Sequence, residues 1–152
     1  MSLIKSLWKK SIGIQNVISV LNKIEISPNQ IKSEKTVEKI IANELMAEFG
    51  ANHVHPQYSI PGYFGMKVDL DIGDGKIGVE LKLASSLDNS IANVQRLFGQ
   101  AIYYYERQYE ERLIVAVIGN SQLEEKPFMQ EIEKLLNDIN VKFVYITTKK
   151  RS

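Results

Sequence analysis

Two carboxylates and a lysine stand at a spacing that could do chemistry: Asp69 on one arm of a hairpin, Glu80 and Lys82 on the other. The segment runs Met66-Lys67-Val68-Asp69-Leu70-Asp71-Ile72, then Gly73-Asp74-Gly75-Lys76, then Ile77-Gly78-Val79-Glu80-Leu81-Lys82-Leu83. Both arms alternate apolar and polar residues with the period of a strand, and the Gly/Asp cluster between them is turn chemistry. A turn closing symmetrically about Asp74-Gly75 sets Ile72 opposite Ile77 and Asp69 opposite Glu80. Val68, Leu70, Val79, Leu81 and Leu83 then line one face, while Asp69, Asp71, Glu80 and Lys82 share the other. Opposed carboxylates repel unless a cation lies between them, and a divalent metal with oxygen ligands suits that place. Lys82 is a second cation on the same face.

The plainer reading is an amphipathic hairpin whose polar face meets water. Against it, the arm carrying Glu80 is followed by a helix instead of another hairpin, which suits a central strand covered on both faces. A carboxylate and an ammonium on such a strand are costly to bury without a task.

The elements that must position these residues follow from periodicity and punctuation. Two short amphipathic pieces, about Leu3–Lys10 and Gln15–Lys23, make residues 1–30 a helical arm packed on the domain or on a partner chain. Residues 31–152 form the domain itself. Ser33-Glu34-Lys35-Thr36 opens a helix to Phe49 with Val37, Ile40, Ile41, Leu45 and Phe49 on its apolar face, and Gly50 stops it. Asn52 to Ile60 reads as a strand ended by Pro61-Gly62, and the hairpin follows. After a loop from Ala84 to Asn89, a helix from about Ser90 to Tyr109 carries an apolar stripe of Val94, Leu97, Phe98, Ala101, Ile102 and Tyr105. Leu113 to Ile118 is a continuous apolar run, the mark of a strand buried on both faces. A helix from Lys126 to Asn137 and a strand from Val141 to Ile146 complete an α/β fold, a mixed β-sheet flanked by helices.

Composition bounds the rest. A chain of 152 residues is one domain by length, and 44% hydrophobic with 24% charged residues is globular, not disordered. Without cysteine there is no disulfide, thiolate zinc site or cysteine nucleophile, which fits a reducing, cytoplasmic setting. No apolar run approaches the ~20 residues of a membrane span, and the N-terminus lacks the features of a secretory signal. Net charge is only +1, so basic character is local: Lys5, Lys9 and Lys10 at one end, Lys149, Lys150 and Arg151 at the other. His53 and His55 share a strand face but have no third zinc ligand nearby. Gly73 and Gly75 precede a strand, which makes them turn glycines and not a phosphate loop.

The order helix–β–β–β–helix–β, with Asp69 on the second strand and Glu80-Leu81-Lys82 on the third, resembles the PD-(D/E)XK nuclease superfamily over roughly residues 34–119. Val68 stands where the proline of the motif name would be. The resemblance implies a restriction-endonuclease-like αβββαβ core and a metal-dependent nuclease of restriction, repair or recombination type. It implies a glutamate on the first helix reaching the metal site, Glu38 in Val37-Glu38-Lys39-Ile40-Ile41, with Glu34 as the second choice. It also implies a glutamine on the helix after Glu-x-Lys. Gln100 fits there, in a row with Arg96 and Tyr104, and Gln95 is the rival on the other flank.

In that scheme Asp69, Glu80 and the Leu81 carbonyl hold Mg2+ or Mn2+, and Lys82 orients or helps deprotonate the attacking water and offsets charge. Glu38 supports the metal, Gln100 is positional, and Arg96 and Tyr104 meet substrate. Asp71, opposite Gly78, is an auxiliary ligand at best. The partner implied is DNA, with RNA left open, and the short chain fits a homodimer or a subunit of a larger complex. A catalytically silent nuclease-like binding module and a plain α/β interaction protein are the competing readings.

Overall fold

The computed structural model describes residues 12–88 and 90–148. In chain order the elements are α1 (Ile14–Lys23), α2 (Glu34–Phe49), β1 (Val54–Ser59), β2 (Lys67–Ile72), β3 (Ile77–Leu83), the single turn α3 (Ala84–Leu87), α4 (Ile91–Arg107), β4 (Leu113–Gly119), α5 (Pro127–Asp138) and β5 (Lys142–Thr147). The helical piece expected at Leu3–Lys10 and the basic clusters at both termini lie outside the described residues.

Among the described residues the five strands make one mixed sheet in the order β1-β2-β3-β4-β5. The first three run antiparallel as a meander, and β3, β4 and β5 are parallel. The coarse expectation of a mixed sheet flanked by helices therefore holds. The two parallel crossovers advance in the same direction across the sheet, so crossovers of one hand bring α4 and α5 to the same face. Alternation along β4 separates the two faces. Ile114, Ala116 and Ile118 pack with Val17 and Leu21 of α1 and Val37, Ile41 and Leu45 of α2. Leu113, Val115 and Val117 pack with Leu97, Ala101 and Tyr104 of α4 and Met129, Ile132 and Leu136 of α5. Of the two positions open to the second piece of the N-terminal arm, it takes the one on the domain, with Val17 and Leu21 fully buried.

Local signals account for the element ends. Ser33 caps α2 by accepting from Thr36 N–H at 3.1 Å, and Ser90 caps α4 through Asn93 N–H at 3.2 Å. Gly50 ends α2 at φ +94°, a conformation that glycine adopts without a Cβ clash. The strand expected from Asn52 starts only at Val54, because Ala51–His53 forms a 3₁₀ turn closed by His53 N–H on Gly50 O at 3.1 Å.

Two expectations about faces are corrected. The buried line of α4 is Leu97, Ala101 and Tyr104, while Ile102 is 51% exposed. The i, i+4, i+7 spacing of those three is a single helical face, and Ile102 lies about 100° round from Ala101. Val68 packs with Tyr58 and Met66 on the α4 side, not with Leu70 and Val79, because β2 and β3 cease to pair just before it.

Candidate functional site

The site begins with the hairpin turn. Gly73, Asp74 and Gly75 all have positive φ, at 80°, 59° and 90°, which suits two glycines and an aspartate. This turn fixes the register at Ile72↔Ile77, Asp71↔Gly78 and Leu70↔Val79. Carried one residue further, it sets Asp69 opposite Glu80, and there the backbone ladder gives way to side chains. Asp69 N–H donates to Glu80 Oε1 at 3.2 Å, and Leu81 N–H donates to Asp69 Oδ2 at 2.7 Å. A strand residue directs its N–H and C=O to the same side, so the Leu81 carbonyl also faces the gap where β2 and β3 part.

Charge is crowded into this fork. Glu80 is 2% exposed, and burial first, then the Asp69 charge, push its carboxyl well above the usual range. Lys82 Nζ lies 3.9 Å from Glu80 Oε2 and opposes that shift. At 15% exposure the lysine side chain reaches the surface only at its rim. Glu38 of α2 is likewise raised, mainly by burial and further by the charges of Asp69 and Glu34. Burial is the larger cause for both Glu80 and Glu38, and the neighbouring negative charge adds to it.

Gln57 of β1 ties the helix to the fork, a role that sequence reasoning missed. Its Nε2 donates to both oxygens of Glu38 at 3.1 Å and to Asp69 Oδ1 at 3.3 Å. The β1–β2 register, with Pro56↔Leu70 and Tyr58↔Val68, puts Gln57 across from Asp69. Its backbone is held at φ +53°, a left-handed conformation that costs a residue with a Cβ about 1–2 kcal/mol. Strain of this kind persists where surrounding contacts over-determine it.

The remaining candidates separate into those the fold brings to the fork and those it does not. Glu38 arrives, whereas Glu34 is taken by the end of β3, accepting from Leu83 N–H at 3.3 Å and Ser86 Oγ at 3.2 Å. Tyr104, expected to meet substrate, is 1% exposed and donates its hydroxyl to Lys67 O at 2.8 Å. Its acidity is lowered chiefly by burial and then by the Glu80 and Asp69 charges, so it sits beside the fork as a support beneath β2. Gln100, one turn earlier, has a buried Oε1 with no hydrogen-bond partner among the described residues. Arg96 and Gln95 are exposed on α4.

Asp71 has both carboxylate oxygens engaged away from the fork. It is fully buried, accepts from Tyr109 Oη at 2.6 Å and from Gly75 N–H at 2.8 Å, and so braces the turn. His53 and His55 both meet Asp74, at 3.0 and 2.7 Å, which pins the same turn to β1.

Among the described residues, no group of three or more His, Cys, Asp or Glu side chains is arranged to hold a metal ion. The donors that face the fork are the Asp69 and Glu80 carboxylates and the Leu81 carbonyl, all hard oxygens of the kind that Mg2+ or Mn2+ takes. That donor chemistry fits such an ion. No helix among the described residues is long and apolar enough to cross a membrane. No family model, no curated protein and no solved structure matches this chain.

Proposed function

We propose that this chain is a metal-dependent nuclease of the PD-(D/E)XK kind, cleaving phosphodiester bonds of DNA at the fork between β2 and β3. The observation that carries the reading is the pairing of Asp69 with Glu80 where the ladder ends, with Lys82 on the same strand 3.9 Å from Glu80. The order α2, β1, β2, β3, α4, β4 supports a restriction-endonuclease-like core, and β3 as the middle strand gives Glu80 and Lys82 a rigid mount.

Hydrolysis joins a water oxygen to phosphorus, breaks the bond to the departing alkoxide and gives that alkoxide a proton. Asp69, Glu80 and the Leu81 carbonyl would hold Mg2+ or Mn2+, which would supply Lewis acidity and a more acidic water. Lys82 holds the attacking water and offsets charge gathering on the phosphate oxygens. Glu38, whose carboxyl is raised mainly by burial, would take the proton of that water. Gln57 keeps Glu38 and Asp69 at a fixed separation, and Tyr104 holds the start of β2 through Lys67 O.

One observation favours a second reading, a catalytically silent binding module. The carboxylates already spend oxygens on their own backbone, Asp69 on Leu81 N–H and Glu80 on Asp69 N–H. Incubation with plasmid, linear and branched DNA, in Mg2+ or Mn2+ against EDTA, separates the two. Metal-dependent cleavage that disappears in Asp69→Ala supports the nuclease, and binding without cleavage of any substrate supports the module.

A further inference from the structure

The connection between β1 and β2 carries two adjacent exposed aromatic side chains, Tyr63 at 92% and Phe64 at 70%. Two adjacent rings form a contiguous apolar patch, the kind of surface that marks an interaction site. The tip is also held in place. Ile60 N–H donates to Met66 O at 2.8 Å, and Ile60 is buried in the core beneath α4. Phe64 meets Tyr63 edge-on at 5.7 Å and Tyr103 of α4 at 5.9 Å. Gly62, at φ +144°, lies so close to the Tyr103 hydroxyl that a Cβ would not fit. The tip is a fixed projection of two rings.

Its chemistry selects the occupant. Residues 60–66, Ile-Pro-Gly-Tyr-Phe-Gly-Met, contain no acid, and the exposed Lys67 follows directly. Arg107 of α4 lies over the Tyr103 ring at 5.7 Å, a second cation beside the aromatics. Rings interleaved with cations match a polyanion carrying flat faces, which describes nucleic acid with unpaired bases. In an intact duplex the faces are already stacked on one another, so rings gain them only where bases have left the helix. Position agrees: Phe64 precedes Asp69 by five residues, at most about 17 Å of chain, or roughly five nucleotide steps.

We infer that Tyr63 and Phe64 form a base-stacking wedge that directs the fork to single-stranded or forked nucleic acid in preference to blunt duplex. The inference rests on the nuclease reading for its geometry, since the wedge places a paired-to-unpaired boundary within reach of Asp69 and Glu80.

The test is fluorescence anisotropy of the full chain in EDTA with labelled DNA of equal length in three forms: single-stranded, forked and blunt duplex. Wild type should bind the first two about tenfold more tightly than the duplex. The Tyr63→Ala/Phe64→Ala double variant should lose roughly ten- to a hundredfold of that affinity and leave duplex binding unchanged. Tyr63→Trp/Phe64→Trp should retain it. Sedimentation of each variant guards against another occupant. No preference in wild type, unchanged binding in the alanine variant, or a wild-type dimer that this variant dissolves would each overturn the wedge. A parallel cleavage assay with Asp69→Ala keeps the two claims apart. Cleavage by wild type with binding indifferent to the wedge residues leaves the nuclease and removes the wedge; stacking-dependent binding without cleavage does the reverse.

Discussion

Glu80 accepts a hydrogen bond from the backbone N–H of Asp69 at 3.2 Å, on a strand pair whose regular ladder has ended one residue before. Each residue thus holds the other's strand: the Asp69 carboxylate takes Leu81 N–H at 2.7 Å in return. The two carboxylates are kept together against their repulsion by peptide donors, within reach of one cation. Two close carboxylates repel, and on the proposed reading a divalent ion would relieve that repulsion.

That repulsion predicts a thermal response to metal. Mg2+ or Mn2+ at about a hundred times its Kd should stabilise the folded protein by ~2.7 kcal/mol, a melting shift on the order of 5–10 °C for a chain of this size. Asp69→Ala should abolish the shift, while without metal the relieved repulsion is set against the orphaned Leu81 N–H. Equal shifts in both proteins, followed by scanning calorimetry, would place the ion elsewhere.

The raised Glu80 carboxyl fixes the sign of a pH effect. A group that binds its proton more tightly in the folded chain adds stability below its unfolded pKa of about 4.3, and loses that contribution as pH rises through the folded value. Glu80→Gln keeps an acceptor for Asp69 N–H and removes the charge. Without metal it should therefore melt above wild type at neutral pH, with the gap closing on acidification toward the unfolded value. A gap that stays constant with pH contradicts the assignment.

Gln57 offers a separation of strain from function. Gln57→Ala and Gln57→Gly both remove the amide that bridges Glu38 and Asp69, but only glycine relieves the φ of +53°. The glycine variant should be more stable than the alanine variant by ~1 kcal/mol, about 2–4 °C in Tm. Cleavage should fall alike in both. Different activities in the two variants would mean that the backbone conformation, and not the amide, is what the site uses.

How far the sequence alone reaches is visible in these residues. The Asp69–Glu80 register was legible because Gly73, Asp74 and Gly75 admit so few turns. β4 was legible because a strand buried on both faces needs an unbroken apolar run. Gln57 was not, since residues 60–66 carry no turn signature as restrictive as Gly73-Asp74-Gly75 from which the β1–β2 register could be read. Glu38 and Glu34 lie one helical turn apart, and only the docking of Leu83 N–H and Ser86 on Glu34 distinguishes them. The inward turn of Tyr104 depended on a distant acceptor, the Lys67 carbonyl, which no helical pattern reveals.

Behind the fork, Asp71 and Tyr109 form the buried brace of the hairpin turn, with Tyr109 Oη 2.6 Å from the carboxylate. Tyr109→Phe leaves Asp71 with Gly75 N–H alone and should cost about 1–3 kcal/mol, or roughly 2–12 °C. Gly78→Ala should destabilise as well, because its Cβ would meet the Tyr109 ring at 2.6 Å. Thermal melts that leave both variants at the wild-type Tm would remove the brace from the account.

Lys82 gives the most direct test of the central claim, because its loss separates chemistry from metal binding. Lys82→Ala leaves Asp69, Glu80 and the Leu81 carbonyl in place, so the metal-dependent melting shift should persist. Cleavage of DNA in Mg2+ or Mn2+ should fall by at least the ~10²-fold typical of losing a charge-stabilising or proton-handling group. The decisive measurement is the single-turnover cleavage rate of wild type and Lys82→Ala on the same DNA, each with metal and with EDTA. Wild type should cleave with metal only, and the variant should cleave at a rate at least about a hundredfold lower. A wild type that cleaves nothing, or a variant that cleaves as fast, would contradict the central claim.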